Sequence, residues 1–374
     1  MKHAPPVEGA ELAWVGVVTR HGVRTPMDSW TPKNVSGDWH CDGESAYSPR
    51  MHVAVSNGYR RRYHRILNPD NVPYLPNCEN GELILRGMEQ HQELGEFYRK
   101  WLVDEVKFLK PWLDKSQVSI RSSKVERCQR SAVSFMNGFY PPATPGEKLE
   151  FVTGSDYREP FSPGTSTCKD MENLWNTFVE TEEFQKRMEE SKKLYADIYK
   201  NISLEPDTTN WMFIGDWMSS YLCTGQDVPM VQLTEELITR GLEDIAYYSY
   251  GYFNTNRAVA SSAIWRSIFR DIDAYLAQKP SASKFRLYST HDTTIIALLV
   301  SLGYSDNRLP PFRSHFAIEI WRKQSKYYIR NVFNGNPVPI DFMDGENFVD
   351  FSKLKTKFSE RGDLGYCLEE FPLK

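Results

Sequence analysis

Three short apolar stretches, each followed by polar residues, dominate the hydrophobic pattern of this chain. They are LAWVGVVT (12–19), QVSIRSS (117–123) and KFRLYST (284–290). Apolar runs of this length, rich in Val and Ile, are typical of strands that are buried on both faces of a parallel sheet. The stretches HFAIEIW (315–321) and KYYIRNVFNG (326–335) predict a strand pair near the edge of that sheet.

Apolar residues recur at helical spacing in other parts of the chain. Between the first two strands lies GELILRGMEQHQELGEFYRKWLVDEV (81–106), and the third strand is followed by HDTTIIALLVSLG (291–303), which ends at Gly303. The long interval before the third strand holds MENLWNTFVETEEFQKRMEESKKLYADIY (171–199) and LTEELITRGLEDIAYYSYGYF (233–253). These stretches have the periodicity and composition of helices that bury one face.

The order of these elements predicts an α/β fold with an insertion. Segment 141–282 begins within the Pro-rich YPPATPGEK and shows no strong strand signal. We therefore predict an α/β domain formed by residues 1–140 and 283–374, in which helices flank a central, parallel-type sheet. The mainly α-helical segment 141–282 is expected to form an insertion in this domain.

Composition places the chain among ordinary globular proteins. Of its 374 residues 40% are hydrophobic and 25% are charged, and the net charge is -4. This balance favours neither nucleic acid nor a membrane surface as a partner. No run of about 18 apolar residues occurs, so no membrane span is predicted. Any anion would have to be bound by a local cluster of cations.

Six widely spaced cysteines occur without a CxxC pair, which argues against a zinc ribbon or a thioredoxin-type motif. They predict up to three disulfides in an oxidising compartment, the alternative being six buried free thiols. N-glycosylation sequons at Asn34 and Asn201 favour the same compartment. We therefore expect a secreted, lysosomal or other secretory-pathway protein. Because MKHAPPVEGAELAW has no apolar stretch, we expect a mature chain with an added initiator Met and without its signal peptide.

Polar residues of similar chemistry follow all three predicted parallel strands. The first strand runs into VVTRHGVRTP, the second into IRSS and the third into STHDTT. Because ligands bind at the carboxyl ends of the strands in open α/β sheets, we expect these residues to share one edge. Together they supply three arginines, two histidines and one carboxylate, namely Arg20, His21, Arg24, Arg121, His291 and Asp292.

This set of side chains suits a phosphate monoester. Guanidinium groups match the tetrahedral phosphate oxygens and stay charged, so three arginines can neutralise and orient the phosphoryl group without a metal. Neighbouring cations are expected to keep His21 neutral, so that its imidazole attacks phosphorus and forms a phosphohistidine. Asp292 is expected to protonate the leaving alcohol and then to activate water, which predicts an acidic pH optimum. The remaining histidines lack metal-ligand spacing, and neither a metal nor a cofactor is predicted.

Each of these motifs alone has a simpler explanation. A His beside an Arg is common on solvated turns, Arg121 could serve only a structural ion pair, and an HD pair often caps a helix. All three motifs, however, follow predicted strands and would meet at one edge of the sheet. Their joint occurrence favours a catalytic site.

The three motifs resemble those of the histidine acid phosphatases, branch 2 of the histidine phosphatase superfamily. The family's RHGxRxP motif is present at 20–26, its second arginine motif is similar to IRSSKVERCQRSA (120–132), and its HD motif lies in YSTHDTT (288–294). The resemblance implies a phosphoglycerate-mutase-like α/β domain with a helical cap, His21 as nucleophile and Asp292 as proton donor. The phosphate would be bound by Arg20, Arg24, Arg121 and His291.

The resemblance implies an acid phosphatase acting on a small phosphorylated substrate, and it leaves that substrate open. Cys41, YSP (47–49) and Cys78 are similar to the 2-phosphoxylose phosphatases, which implies a Cys41–Cys78 disulfide and a sugar-phosphate substrate. Phytase is another alternative, although HDTT stands where phytases usually have HDTN or HDAN, and no set of pocket lysines is evident. Family members are often dimers, so a homodimer is open as well.

Two further functions are alternatives to hydrolysis. A mutase or phosphotransferase would return the phosphoryl group to an acceptor, whereas an acid placed to protonate the leaving group favours transfer to water. The alternative of another class is an inactive secreted binding protein on the same scaffold. The six intact site residues argue against it.

Overall fold

The computed structural model describes residues 1–27, 39–41, 78–144, 147–154, 159–202, 210–226, 234–280 and 282–369. It describes the backbone alone at 201, 202, 210, 212 and 213. Within these ranges one sheet contains eight strands, which are β1 (Glu11–Arg20), β2 (Val118–Ser122), β3 (Val152–Thr153), β4 (Phe285–Thr290), β5 (His315–Lys323), β6 (Lys326–Phe333), β7 (Asn336–Pro337) and β8 (Phe348–Asp350).

The sheet is parallel in one half and antiparallel in the other. Its strand order is β3-β2-β4-β1-β5-β6-β7, with β8 paired to β6. Strands β2, β4 and β1 run parallel, whereas β5 and β6 form the predicted antiparallel pair beside β1. Arg20 pairs with Thr290, and Ser122 pairs with Ser289, so the carboxyl ends of β1, β2 and β4 meet at one edge. The α/β prediction is confirmed, with a mixed sheet that is mostly parallel at its centre.

The described ranges contain ten α-helices. They are α1 (Leu85–Arg99), α2 (Glu126–Phe139), α3 (Lys169–Val179), α4 (Glu182–Leu194), α5 (Ala196–Ile202), α6 (Asn210–Leu222), α7 (Glu235–Thr255), α8 (Arg257–Leu276), α9 (Asp292–Ser301) and α10 (Phe351–Glu360). A π-helical segment, Lys100–Glu105, continues α1, and a 3-10 turn spans Asp341–Met343. No helix in these ranges combines the length and the apolar character that crossing a bilayer would require.

Alternate residues of β1 enter two different cores because a strand points successive side chains to opposite faces. Val15 and Val17 pack in a core with side chains of α1 and α2. Trp14 and Val18 pack in the larger core on the other face, together with side chains of α8 and α9. Both faces of the strand are therefore covered, which explains why its sequence is continuously apolar.

Segment 141–282 contains α3 to α8, as its helical pattern predicts, but it also contains β3. This two-residue strand pairs in parallel with β2 and is the outermost strand on that side of the sheet. Helix α8 lies against the sheet domain: Trp265 Nε1 donates to Ser301 Oγ of α9 at 2.8 Å, and Asp271 accepts a hydrogen bond of 2.7 Å from the hydroxyl of Tyr288 in β4. The helical segment and the sheet thus share one large core.

Two disulfides join distant parts of the chain. Cys41 is bonded to Cys78, which confirms the pairing that the family resemblance implies, and the Cα atoms are 5.5 Å apart. Cys168 is bonded to Cys367 across a sequence separation of 199 residues. The other two cysteines are free thiols, Cys128 buried and Cys223 exposed. The sequon at Asn34 lies outside the described residues, and at Asn201 the side chain does.

Glycines bring the backbones of α1 and α2 into contact. A Cβ atom at Gly95 of α1 would lie 2.0 Å from the carbonyl oxygen of Phe135 in α2. A Cβ atom at Gly138 of α2 would lie 2.1 Å from the carbonyl oxygen of Gln92 in α1. Neither helix can carry a side chain at these points without moving away from its partner.

We predict that Gly95→Ala lowers the free energy of unfolding by about 1–3 kcal/mol, because the methyl group must displace backbone atoms. Urea denaturation measures the change. Gly164→Ala is the matched control, since a Cβ atom there would meet no atom within 4 Å, and we expect a change within about 0.5 kcal/mol. Equal stability of the two variants would contradict the packing described for α1 and α2.

Candidate active site

The turn that follows β1 forms the first part of the site. The backbone N–H of His21 donates to the carbonyl oxygen of Thr290 at 3.1 Å, and the N–H of Arg313 donates to the carbonyl oxygen of His21 at 3.1 Å. His91 of α1 lies 3.0 Å, through its Nε2, from the carbonyl oxygen of Arg20 and donates to it. The turn is therefore held by β4, by the segment before β5 and by α1.

Glycine at position 22 allows this turn to touch α1. A Cβ atom at Gly22 would lie 2.2 Å from the carbonyl oxygen of Gly87, and one at Gly87 would lie 2.2 Å from the carbonyl oxygen of Val23. The N–H of Gly22 also donates to Ser131 Oγ of α2 at 3.2 Å. The glycine of the RHG sequence is thus required by close packing of two backbones.

His21 is buried, and one hydrogen bond fixes its tautomer. Its Nδ1 lies 2.9 Å from the carbonyl oxygen of Gly22. Because a carbonyl only accepts hydrogen bonds, Nδ1 carries the proton and Nε2 keeps its lone pair. Burial, followed by the charges of Arg127, Arg24 and Arg20, holds the pKa of His21 well below its ordinary value. The ring is therefore a neutral imidazole with a nucleophilic nitrogen.

Arg20, the last residue of β1, is only 1% exposed. Its Nη1 donates to the carbonyl oxygen of Pro310 at 2.5 Å, and its Nη2 lies 2.9 Å from Oδ2 of Asp292. The guanidinium carbon lies 4.1 Å from the ring centroid of Phe312. Its Nε–H has no hydrogen-bond partner among the described residues. A buried guanidinium with a spare donor is a good partner for an anion.

Arg24 is paired with a carboxylate from the helical segment. Its Nη2 donates to Oδ1 of Asp216 in α6 at 2.6 Å, and its Nη1 donates to Oδ2 at 3.2 Å. Nη1 also donates to the carbonyl oxygen of Thr25 at 2.9 Å. Both members of the pair are buried. The sequence pattern of the strand ends does not reveal Asp216, because it lies in α6, far along the chain.

A third arginine of the site, Arg127, is one that the sequence analysis misses. Burial lowers its pKa to about 10, with the charge of Arg24 as the next cause, so the guanidinium is still protonated at neutral and acidic pH. Among the charges that lower the pKa values of His21 and His291, that of Arg127 ranks first. Its Nε–H is buried and has no hydrogen-bond partner in the described part of the chain.

Arg121 is the predicted site residue that the structure does not bring into this group. Its Nε and Nη2 donate to the two carboxylate oxygens of Glu159 at 3.2 and 3.1 Å. Glu159 is buried and also accepts hydrogen bonds from the backbone N–H groups of Gly154 and Phe161. The geometry of Arg121 is that of a structural ion pair, so the structure favours Arg127 over Arg121 as the third cation.

Strand register explains why Arg121 lies apart. Because Ser122 pairs with the β4 residue that precedes Thr290, the β2 position level with Arg20 is Ser123. Arg121 therefore lies two residues farther from the edge of the sheet. Ser123 does reach the site, and Arg127 reaches it from the first turn of the helix that follows β2. The register of β2 against β4 therefore shows that residues after Arg121 reach the site. The sequence of a single strand does not contain this information.

His291 follows β4 and faces His21, with 5.8 Å between the ring centroids. Its Nε2 lies 3.0 Å from Ser123 Oγ and 3.6 Å from Cys128 Sγ. Burial and the charge of Arg127 lower the pKa of His291 to about 3, against the opposing charge of Asp292. Both histidines of the site are therefore neutral.

Asp292 is the first residue of α9, and its side chain is 21% exposed. Its Oδ1 accepts a hydrogen bond of 2.8 Å from the backbone N–H of Thr293. Burial raises the pKa of the carboxyl, but the positive charges of Arg20 and Arg24 outweigh this effect and hold the pKa below its ordinary value. With these neighbours Asp292 is a carboxylate.

A cleft of about 1310 Å³ reaches the site, with Arg20 in its wall. Side chains of α4, α6 and α7 form one side, and the segment 306–312 forms much of the other. Aromatic, aliphatic and charged residues all contribute, including Phe178, Glu183, Arg187, Cys223, Glu243, Tyr247, Tyr250, Asp306, Arg308, Leu309 and Phe312. The cleft gives a substrate access to the buried cations.

The structure thus brings together five of the six predicted residues, Arg20, His21, Arg24, His291 and Asp292. With Arg127 and Asp216 added, three guanidinium groups, two neutral imidazoles and two carboxylates lie within electrostatic reach of one another at the carboxyl ends of β1 and β4. Each carboxylate is already paired with an arginine, so these groups are suited to a tetrahedral anion and not to a metal cation. A neutral imidazole with a free Nε2 can attack such an anion when it is an ester.

Comparison with known proteins identifies relatives of this chain. The model of the family described as "Histidine phosphatase superfamily (branch 2)" matches residues 11–334. Prostatic acid phosphatase of Homo sapiens is 26% identical over 359 residues, which cover 88% of this chain and 80% of that protein. The 2-phosphoxylose phosphatase 1 of Homo sapiens is 25% identical over 357 residues, covering 89% of this chain and 72% of that protein.

A solved structure shares the fold. The Hafnia alvei phytase in complex with myo-inositol hexakis sulphate superposes with a TM-score of 0.60, covers 95% of this chain and 98% of its own, and is 14% identical in sequence. At this identity the likeness concerns the fold alone. The family match, in contrast, extends over most of the chain and includes all three strand-end motifs. The chain therefore belongs to branch 2 of the histidine phosphatase superfamily and is a phosphomonoesterase.

Proposed function

We propose that this protein hydrolyses phosphate monoesters through a covalent phosphohistidine on His21, with Asp292 as general acid and base. One observation carries the proposal. The buried ring of His21 is kept neutral beside Arg20, Arg24 and Arg127, and its only proton is on the nitrogen that bonds to the carbonyl of Gly22. Membership of a phosphatase family supports the same reaction class.

In the first step Nε2 of His21 attacks phosphorus while the bond from phosphorus to the ester oxygen breaks. Arg20, Arg24 and Arg127 neutralise the phosphoryl oxygens and keep the reacting atoms in line. We assign this third role to Arg127 in place of Arg121, which is engaged by Glu159. The leaving alkoxide takes a proton from Asp292 and departs as an alcohol.

In the second step a water molecule attacks the phosphohistidine. The Asp292 carboxylate, which has given up its proton, accepts one from the water as the oxygen–phosphorus bond forms. The nitrogen–phosphorus bond breaks, the electron pair returns to Nε2, and inorganic phosphate leaves. Hydrogen bonding of Nδ1–H to Gly22 keeps the same ring nitrogen available for the next cycle.

The lowered pKa of His21 bears directly on action at acidic pH. A histidine of ordinary pKa, about 6.5, is largely protonated at about pH 5 and cannot attack phosphorus. Burial and the charges of three arginines oppose protonation of His21 and hold its pKa well below that ordinary value, so the neutral form persists to lower pH. The proton required by the leaving group is, at the same time, more available in acid. Both effects support an acid phosphatase.

Charges in the cleft bear on the choice of substrate. Among the described residues that line the cleft, Arg187 and Arg308 are offset by Glu183, Glu243 and Asp306, so these residues give it no excess of positive charge beyond the arginine cluster. A substrate with many phosphates would meet carboxylates there. We therefore propose a monoester with one phosphate and an uncharged leaving group, such as a sugar or aryl phosphate. A higher kcat/KM for inositol hexakisphosphate than for p-nitrophenyl phosphate would contradict this preference.

We also propose that the protein acts in an oxidising compartment of the secretory pathway or outside the cell. Its two disulfides support this location, since such bonds persist where thiols are not kept reduced. An inactive binding protein on the same scaffold is less well supported. The nucleophile, the acid and the arginines are all present, and the cleft reaches Arg20.

We predict that His21→Ala reduces hydrolysis of p-nitrophenyl phosphate by about 10³-fold or more, because it removes the attacking nitrogen. Asp292→Asn should form a phosphoenzyme that accumulates, since no base activates the water. Phosphoenzyme is measured by acid-labile, base-stable labelling of the protein from a radioactive ester. His315→Gln removes a buried histidine outside the site and serves as the control, with activity retained. Full activity of His21→Ala would refute the nucleophile assignment.

We predict that Arg127→Ala lowers kcat/KM by about 10²–10³-fold, because one cation that neutralises the transferring phosphoryl group is lost. Arg121→Ala should lower it by less than about tenfold while destabilising the fold, since Glu159 is left buried and unpaired. Steady-state kinetics, together with urea denaturation of both variants, separate the two effects. The reverse order of activity losses would restore Arg121 as the phosphate ligand.

We predict that the rings of His21 and His291 stay neutral from about pH 7 to about pH 5 in the folded protein. Their pKa values are lowered, that of His291 to about 3, and a lowered histidine pKa means that protonation begins only in stronger acid. Nitrogen chemical shifts of labelled histidine, assigned with His21→Gln and His291→Gln, report the protonation state. The urea-unfolded chain should titrate near about 6.5. A folded-state titration near that value would contradict the proposed electrostatics.

A further inference from the structure

A second buried carboxylate lies against the arginines of the anion site. Asp216 is 4% exposed and comes from α6, in the helical segment. Its two oxygens accept hydrogen bonds from Nη2 and Nη1 of Arg24 at 2.6 and 3.2 Å. Oδ2 also accepts one from the backbone N–H of Met27 at 3.2 Å. A buried negative charge beside a site for anions weakens the attraction for the ligand and therefore needs an explanation.

Asp216 determines the net charge of the site around His21. Arg20, Arg24 and Arg127 carry three positive charges, and Asp216 and Asp292 carry two negative charges, while both histidines are neutral. The site therefore has a net charge of one positive. A phosphate dianion changes it to one negative in a buried environment, where an uncompensated charge is unfavourable. Uptake of one proton restores neutrality.

Asp292 is the group best placed to take this proton. Its side chain is 21% exposed, compared with 6% for the side chain of Asp216, and within the described ranges its ion-pair partner is Arg20. A bound dianion competes with Asp292 for Arg20. Asp216, in contrast, keeps its two hydrogen bonds to Arg24 and a third from the backbone. The proton is therefore taken up by Asp292, the residue that donates it to the leaving group.

Other titratable groups around Asp292 do not compete for the proton. Burial raises the pKa of Cys128 to about 11 and that of Tyr248 to about 12, so both already hold their protons. Partial desolvation also raises the pKa of Cys223, which directly follows α6. The histidines, His21 and His291, lie among the arginines, whose charges oppose a further positive charge.

We propose that Asp216 is a positioning residue whose charge couples the binding of a phosphate dianion to the protonation of Asp292. It acts through Arg24 and through the net charge of the site, and it does not touch the substrate. The inference rests on the proposed phosphatase function. It adds an explanation of how Asp292, the general acid, acquires a proton at a pH at which it is ionised in the absence of ligand. Without the charge of Asp216, a dianion would neutralise the site, and Asp292 would stay ionised.

Calorimetry with sulfate tests the proposal without turnover. Sulfate is a tetrahedral dianion that takes up no proton itself at about pH 6, so any proton bound enters the protein. Titrations in buffers of different ionisation enthalpy give the number of protons taken up. We expect about one proton per sulfate for the wild-type protein and a value close to zero for Asp216→Asn and for Asp292→Asn. Asp271→Asn, which alters a partly buried arginine–carboxylate pair outside the site, should behave as the wild type.

Kinetics supply a second readout that loss of structure alone would not produce. A poor leaving group depends on its proton more than a good one does. Asp216→Asn should therefore lower kcat at about pH 6 by about tenfold or more for an alkyl phosphate and by much less for p-nitrophenyl phosphate. Its pH optimum for the alkyl ester should move to lower pH, because the proton must then come from the solvent.

The outcomes separate this inference from the function on which it rests. Absence of sulfate binding together with absence of phosphatase activity in the wild-type protein would reject the proposed function. Wild-type binding without proton uptake, or uptake unchanged in Asp216→Asn, would overturn the role of Asp216 while leaving the phosphatase intact. Proton uptake by the wild-type protein can be measured without any variant. An absence of uptake would therefore overturn the proposal even if Asp216→Asn fails to fold.

Discussion

The site depends on holding three guanidinium groups, two of them on fully buried arginines, around one imidazole. Like charges repel strongly in a medium of low dielectric constant, so the buried arginines, Arg20 and Arg24, must be held by partners of their own. Arg20 is held by Asp292 and the carbonyl of Pro310, and Arg24 by Asp216. These partners come from α9, from the segment before β5 and from α6. Elements from distant parts of the sequence are therefore needed to hold this one cluster.

Much of the fold could be predicted because the sequence of each main strand is itself sufficient to identify it as a strand. Apolar runs that end in polar residues identify β1, β2 and β4, and the rule that parallel strands place their carboxyl ends together brings five site residues to one edge. Strand β3 could not be predicted in this way. It has two residues, Val152 and Thr153, both exposed, so no pattern of apolar residues marks it. Its existence depends on pairing with β2.

The rest of the site depends on relations between elements. Choosing Arg127 over Arg121 requires the register of β2 against β4, which a single strand does not contain. Asp216 requires knowledge of how the helical segment packs on the turn after β1. One local signal exists, since Asp216 is the sole charged residue in the otherwise apolar or neutral helix NWMFIGDWMSSYL. A lone carboxylate in such a helix is expected to face a cation.

The disulfide between Cys168 and Cys367 separates the site residues into two groups, those inside the covalent ring that it closes and those outside it. It closes a covalent ring that contains Asp216, His291 and Asp292, whereas Arg20, His21, Arg24 and Arg127 lie outside that ring. A protease that cuts one peptide bond inside the ring cannot release the acid-bearing part of the protein from the rest. Such a nick leaves one covalent molecule, and the two fragments separate only after reduction.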